Sequence, residues 1–168
     1  VIPINHNIEF ASKFPDEIKD KKQLQRFLGS LNYVGDYYQN LATDCSLLFQ
    51  RLKKNPSPWT SEHTNAVRKI KIRVKQLPCL CLANPNWFKI VQTDASELGY
   101  GGILIQKNPI TQKEELLRFV SGIWSGAPLN YSTIKKETFS IVKCITKFQD
   151  DLLNQIFLLR IDCSAAKS

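Results

Sequence analysis

Three carboxylates sit where the apolar pattern around them disfavours an acid. Asp94 closes the run Ile90-Val91-Gln92-Thr93, and Asp162 closes Phe157-Leu158-Leu159-Arg160-Ile161. Both runs read as strands, in which aspartate is a poor fit. Glu137 lies three residues after Ile134 and four before Ile141, on a stripe that Cys144, Ile145 and Phe148 continue. On a helix those positions share one face, directed at the core. A buried carboxylate needs compensation: an Arg or Lys partner, solvent at the edge of the stripe, or a cation. If this helix is the crossover between two parallel, neighbouring strands, right-handed connection brings both strand ends to one sheet edge. Ligand sites favour that edge, and the first turn of the helix lies near it. Three acids converging there would repel one another without a divalent cation between them. An all-oxygen donor set suits Mg²⁺ or Mn²⁺ and not zinc. Two such ions, roughly 4 Å apart, would activate water and stabilise the leaving oxygen in phosphodiester hydrolysis. Acids at strand ends also cap helices and turns, so the spacing leaves that structural reading open beside the chemical one.

The elements that must position these acids can be read from periodicity. Residues 1–18, with Pro3 and Pro15 and a weak alternation of Ile2, Ile4, Ile8 and Phe10, read as extended or irregular. From Asp20, a fitting N-cap, Leu24, Phe27, Leu28, Leu31 and Val34 recur at helical steps. A second helix is expected over Thr43–Lys53, and a third from Ser61 to Leu77 through Val67, Ile70 and Val74, stopped by Pro78. After Pro85 the period becomes that of strands: Trp87–Asp94, Gly99–Gln106 and Leu116–Trp124. A helix from Ser132 to about Asp150 and a strand over Gln155–Asp162 complete the order strand, strand, strand, helix, strand. Gly99, Gly101 and Gly102 suit a tight hairpin, and equally the close approach of a nucleic-acid backbone. The expectation is two units, a helical one over residues 1–82 and an α/β one over 85–168.

Of the 168 residues, 43% are hydrophobic and 23% charged, which is the composition of a globular chain and not of a disordered one. No apolar run approaches the roughly 20 residues that span a bilayer, and the first residues lack signal-peptide design. No methionine is present, so a longer translation product is expected around this stretch. Five scattered cysteines, with one residue between Cys79 and Cys81, do not match zinc-knuckle spacing. They read as free thiols in a reducing, cytoplasmic compartment. The net charge of +8 makes a polyanionic partner, nucleic acid above all, plausible. Lys21, Lys22 and Arg26, then Arg68, Lys71 and Lys75, concentrate that charge on the helical unit. They serve as solvated helix faces or as phosphate contacts whose strength falls steeply with salt.

The motifs themselves resemble a known family. Residues 92–104, QTDASELGYGGIL, resemble the first catalytic motif of ribonuclease H domains in reverse-transcribing elements; 130–137, NYSTIKKE, resemble the second, and 158–166, LLRIDCSAA, the third. Upstream, residues 20–42 resemble a polymerase thumb and 58–71 the helical segment that follows it. The combination is most similar to polyproteins of plant pararetroviruses of the caulimovirus and badnavirus kind, with gypsy-type retrotransposons next. The resemblance implies an α+β or α/β fold: a helical thumb-connection segment over 1–82 and a C-terminally truncated ribonuclease H-like mixed sheet over 85–168. It implies that Asp94, Glu137 and Asp162 are catalytic metal ligands and that two Mg²⁺ or Mn²⁺ ions are the cofactors. The implied partners are an RNA–DNA hybrid and the rest of the polymerase polyprotein, palm and fingers, with no membrane. The parent would be an RNA-directed DNA polymerase. A fourth acid of the family would lie beyond Ser168, which makes hydrolysis by this stretch alone doubtful.

Two other readings compete. A non-catalytic remnant of an integrated copy would bind nucleic acid without cutting it. An integrase-like or resolvase-like nuclease would share the sheet topology but would not follow a thumb-like segment.

Overall fold

The structure, a computed structural model, describes residues 5–161, with side chains from Ile8 onward. Asp162 and Cys163 lie outside the described residues.

The helical part begins with α1 (Asn5–Ser12), where an extended segment was expected. Tertiary packing decides this: Ala11 is buried and Ile8 packs against the same cluster, a contact that helical spacing permits and strand alternation does not. The helix α2 (Lys21–Ser30) follows, with the Asp20 carboxylate accepting from the Gln23 N–H at 3.4 Å as N-cap. Its expected stripe is buried in full, but the last two members, Leu31 and Val34, sit on a 3₁₀ segment over Leu31–Tyr37. The second expected helix is shifted: α3 covers Leu41–Gln50. It starts early because Asn40 takes a left-handed conformation (φ 60°) that turns the chain into the helix, one of the few residue types that does so readily.

The helix α4 (Ser61–Lys75) buries Val67, Ile70 and Val74 as expected. Thr60 and His63 close its start as a capping box, the imidazole Nδ1 accepting the Thr60 N–H at 3.0 Å. Together these helices enclose one core, built on Leu24, Phe27, Leu31, Tyr38, Leu48 and Ile70. Each such side chain contributes about 1.5–3 kcal/mol on burial.

The second part is a four-stranded sheet of order β3-β2-β1-β4, with β1 (Phe88–Ala95), β2 (Gly99–Lys107), β3 (Glu114–Ile123) and β4 (Phe157–Ile161). β1 pairs antiparallel with β2 and parallel with β4. The connection into β4 is the helix α5 (Thr133–Lys147), capped by Ser132 and followed by the short α6 (Gln149–Leu152). The fold is therefore mixed α/β, as the sequence implied.

α5 covers one sheet face, where Cys144, Phe148 and Leu152 pack on Val91, Leu104 and Leu117 to form a second core. The other face meets the helical part: the Ala42 N–H donates to Ser121 Oγ at 2.9 Å, and Asn40 lies over Gly101. All three glycines lie in β2, and Gly99 also closes the tight β1–β2 hairpin, its carbonyl accepting the Ser96 N–H at 2.8 Å. A Cβ at Gly99 would fall 2.2 Å from the Gly122 carbonyl oxygen, one at Gly101 2.2 Å from Asn40 Oδ1, and one at Gly102 2.4 Å from Cys144 Sγ. Close approach on the two faces of the sheet requires Gly101 and Gly102, and the backbone of the neighbouring strand requires Gly99. Among the described residues no helix is long and apolar enough to cross a membrane, and the four described cysteines are free thiols.

Candidate active site

β1 carries Asp94 at its C-terminal end, opposite Gly101 in the β1–β2 ladder. Strand alternation fixes its direction. Gly102, the partner of Thr93, meets Cys144 of α5, so Thr93 points to the α5 face. Asp94 therefore points to the opposite face, beside Asn40, and is exposed. The described β1–β4 ladder ends at Thr93 and Ile161, one residue before Asp94.

Glu137 arrives from the other face. It is 4% exposed, and its Oε2 atom is sealed from solvent. The core-facing position read from the stripe is thus correct, although Ile134, placed on that stripe, is exposed. Helical drift explains this. The buried line is Glu137, Ser140, Cys144 and Phe148, and Ile134 falls off its edge because 3.6 residues per turn do not hold a strict repeat. Phe139 and Lys143 occupy the flank of α5 that faces Tyr100 and Val120 of β2 and β3.

Several residues not singled out from the sequence hold this end of the sheet together. Lys136, 8% exposed, donates from Nζ to the Glu97 carbonyl at 3.0 Å. Trp124 Nε1 donates to the Ser96 carbonyl at 2.9 Å, and the Trp124 ring packs between those of Tyr100 and Phe139 at 5.1 and 5.7 Å. These contacts fasten the turn that follows Asp94 to the first turns of α5. A cleft of about 620 Å³ opens between them, lined by Ser96, Leu98, Leu129, Tyr131, Thr133 and Lys136. A smaller one, about 230 Å³, lies on the Asp94 side. The aromatic spacing gave no signal of this role, because aromatic residues beside a strand are equally core residues.

The two candidate donors among the described residues, Asp94 and Glu137, are carboxylates, a type suited to hard divalent ions and unsuited to zinc. Among the described residues no group of three His, Cys, Asp or Glu side chains lies close enough to hold an ion. The third acid of the expected set, Asp162, lies outside the described residues.

The basic residues divide. Lys21, Lys22, Arg26 and Lys75 are exposed. Arg68 pairs with Asp16 at 3.2 Å; Lys71 pairs with the same carboxylate at 2.9 Å and donates to the Phe14 carbonyl. Those two thereby tie α4 to the segment after α1. The neighbouring tyrosines divide too: Tyr38 is buried and Tyr33 exposed.

A mixed sheet backed by a crossover helix is the class of fold that the sequence resemblance implies. The chain belongs to the RNase H-like domain found in reverse transcriptase, whose family profile matches residues 59–159. That match begins upstream of the sheet, at Trp59 before α4. Over 169 aligned residues, 99% of the chain, it is 41% identical to the enzymatic polyprotein of Cauliflower mosaic virus (strain NY8153). Over 162 residues, 95% of the chain, it is 41% identical to that of Carnation etched ring virus. The chain spans about a quarter of these relatives, 25% and 24% of their lengths. Among solved structures, the foamy viral protease-reverse transcriptase in complex with RNA/DNA hybrid matches 94% of this chain and 21% of its own, with a TM-score of 0.76 and 19% identity. The same viral protein in complex with dsDNA matches with a TM-score of 0.73 and 19% identity over 98% of this chain and 34% of its own. These two likenesses establish the fold.

Proposed function

We propose that this chain is the end of a reverse transcriptase joined to a ribonuclease H domain that hydrolyses the RNA strand of RNA–DNA hybrids by two-metal-ion catalysis. Residues 1–82 are the palm-end, thumb and connecting helices; residues 85–168 are the nuclease. The two separate hydrophobic cores support that division. The parent is an RNA-directed DNA polymerase, a polyprotein of the host cytoplasm or viral particle, whose palm and fingers are the chain's partners.

The reading rests on the exposed Asp94 at the end of β1 and on the buried Glu137 in the first turns of α5, whose neighbour Lys136 bonds the turn that follows Asp94. A carboxylate from the helix and one from the strand would hold the ions, with Asp162, next in the chain after Ile161, as the third ligand. Bound Mg²⁺ or Mn²⁺ supplies charge for the scissile phosphate and activates water. Asp94 and Glu137 would hold the ions, and Lys136 and Trp124 fasten to one another the elements that carry them. Lys21, Lys22, Arg26 and Lys75 contact phosphates along the duplex, with Arg68 and Lys71 contributing from the Asp16 cluster.

The test is Mg²⁺-dependent cleavage of a labelled hybrid by the polyprotein that contains this chain. Asp94→Asn, Glu137→Gln and Asp162→Asn are each expected to lower the rate by a factor on the order of 10²–10⁴. Undiminished cleavage by Asp94→Asn would overturn the assignment.

A further inference from the structure

The cleft beside Asp94 is built by both parts of the chain. Its lining includes Gln92 and Asp94 of β1, Gly101 and Ile103 of β2, and Gln39 and Asn40 from the turn before α3. Gln39 and Asn40 lie well upstream of residue 59, where the family match starts. Three features hold them there. Asn40 adopts φ 60°; its Oδ1 occupies the space that a Cβ on Gly101 would need; and the Ala42 N–H is bonded to Ser121 Oγ on the same sheet face. Gly101 is the ladder partner of Asp94, so Asn40 stands one strand away from the acid.

The lining of this cleft is chemically distinctive. Three neutral amides, Gln39, Asn40 and Gln92, surround one carboxylate, and none of the described lining residues is cationic. Such a wall does not attract phosphate. An amide offers both a donor and an acceptor, and so does the ribose 2′-hydroxyl that separates RNA from DNA.

Resting on the nuclease reading above, we propose that Gln39 and Asn40 form with Gln92 a ribose-binding wall of the Asp94 cleft. The helical part thereby supplies part of the RNA selectivity of the nuclease. The wall takes the sugar edge of the RNA strand, while phosphate contacts lie elsewhere on the basic helices.

The experiment is equilibrium binding of the polyprotein to a labelled RNA–DNA hybrid and to a DNA duplex of the same sequence, with Ca²⁺ replacing Mg²⁺ to suppress cleavage. Asn40→Gly keeps the left-handed turn and removes the amide; Gln92→Ala removes the second; Gly101→Ala displaces Asn40 from its seat. Each is expected to weaken hybrid binding by roughly 3- to 10-fold, the loss of one net hydrogen bond, and to leave DNA-duplex binding unchanged. Equal loss on both duplexes, or a fall in thermal midpoint that accounts for the loss, would overturn the proposal. Full hybrid preference in Asn40→Gly would overturn it while leaving the nuclease reading intact. If the unmodified protein shows no preference for the hybrid, this proposal falls, while the nuclease reading stands or falls on the cleavage assay.

Discussion

Lys136 reaches from the first turns of α5 to the carbonyl of Glu97, at 3.0 Å, and so ties the turn after Asp94 to the helix residue that precedes Glu137. An ammonium group this well buried, 8% exposed, is retained at a desolvation cost, and the bond it makes holds the turn after Asp94 against the helix that carries Glu137. Lys136→Met is expected to lower the cleavage rate by about 10- to 100-fold, the usual consequence of a misplacement near 1 Å. Lys136→Arg should recover part of the loss. Steady-state kinetics on the hybrid would show the effect in kcat with KM little changed, whereas a general loss of folding would remove active protein without altering the response to Mg²⁺.

The turn that carries Asn40 is braced from behind. Tyr38, 1% exposed, donates its hydroxyl to Asp44 at 2.7 Å, and the same carboxylate takes Lys69 at 3.2 Å and Arg73 at 3.4 Å from α4. Burial, with the Asp44 hydrogen bond second, holds the Tyr38 phenol protonated far above its ordinary range. Tyr38→Phe removes one bond of this buried network and is expected to cost about 1–2 kcal/mol, measured by urea denaturation.

Gly102 and Cys144 are a close-packed pair across the sheet and α5. A methyl on Gly102 would meet Cys144 Sγ at 2.4 Å and Val120 Cγ1 at 3.0 Å. Gly102→Ala is expected to destabilise by about 1–3 kcal/mol through overpacking. Cys144→Ala should relieve part of that cost, so the double variant will be more stable than the sum of the single effects. A double-mutant cycle by thermal unfolding measures the coupling.

His63 gives stability a dependence on pH. Its ring accepts the Thr60 N–H and is buried; burial first, and the Arg51 charge second, lower its pKa below the ordinary value. Below about pH 6.5 the unfolded chain takes up a proton that the folded ring resists. The unfolded state then binds more protons, so stability falls as pH drops through that value and levels off only below the folded pKa. The thermal midpoint should be lower at about pH 5 than at about pH 7.5. His63→Gln keeps an acceptor at the same helix position and should flatten that decline.

The sequence by itself determined which faces are buried and in what order the elements run. The stripes through Leu24–Val34 and Val67–Val74, the change of period after Pro85 and the core-facing carboxylate at Glu137 all rest on local periodicity, which survives in the structure. Only the tertiary structure decided the rest. Asn5–Ser12 is helical because Ile8 and Ala11 meet α4 and the segment after α2, and β2 is glycine-rich because Asn40 and Cys144 press on it from opposite faces. The cleft beside Asp94 brings Asn40 and Gly101 together across 61 residues of chain. No periodicity within a single segment records such a contact, because packing between distant elements creates it.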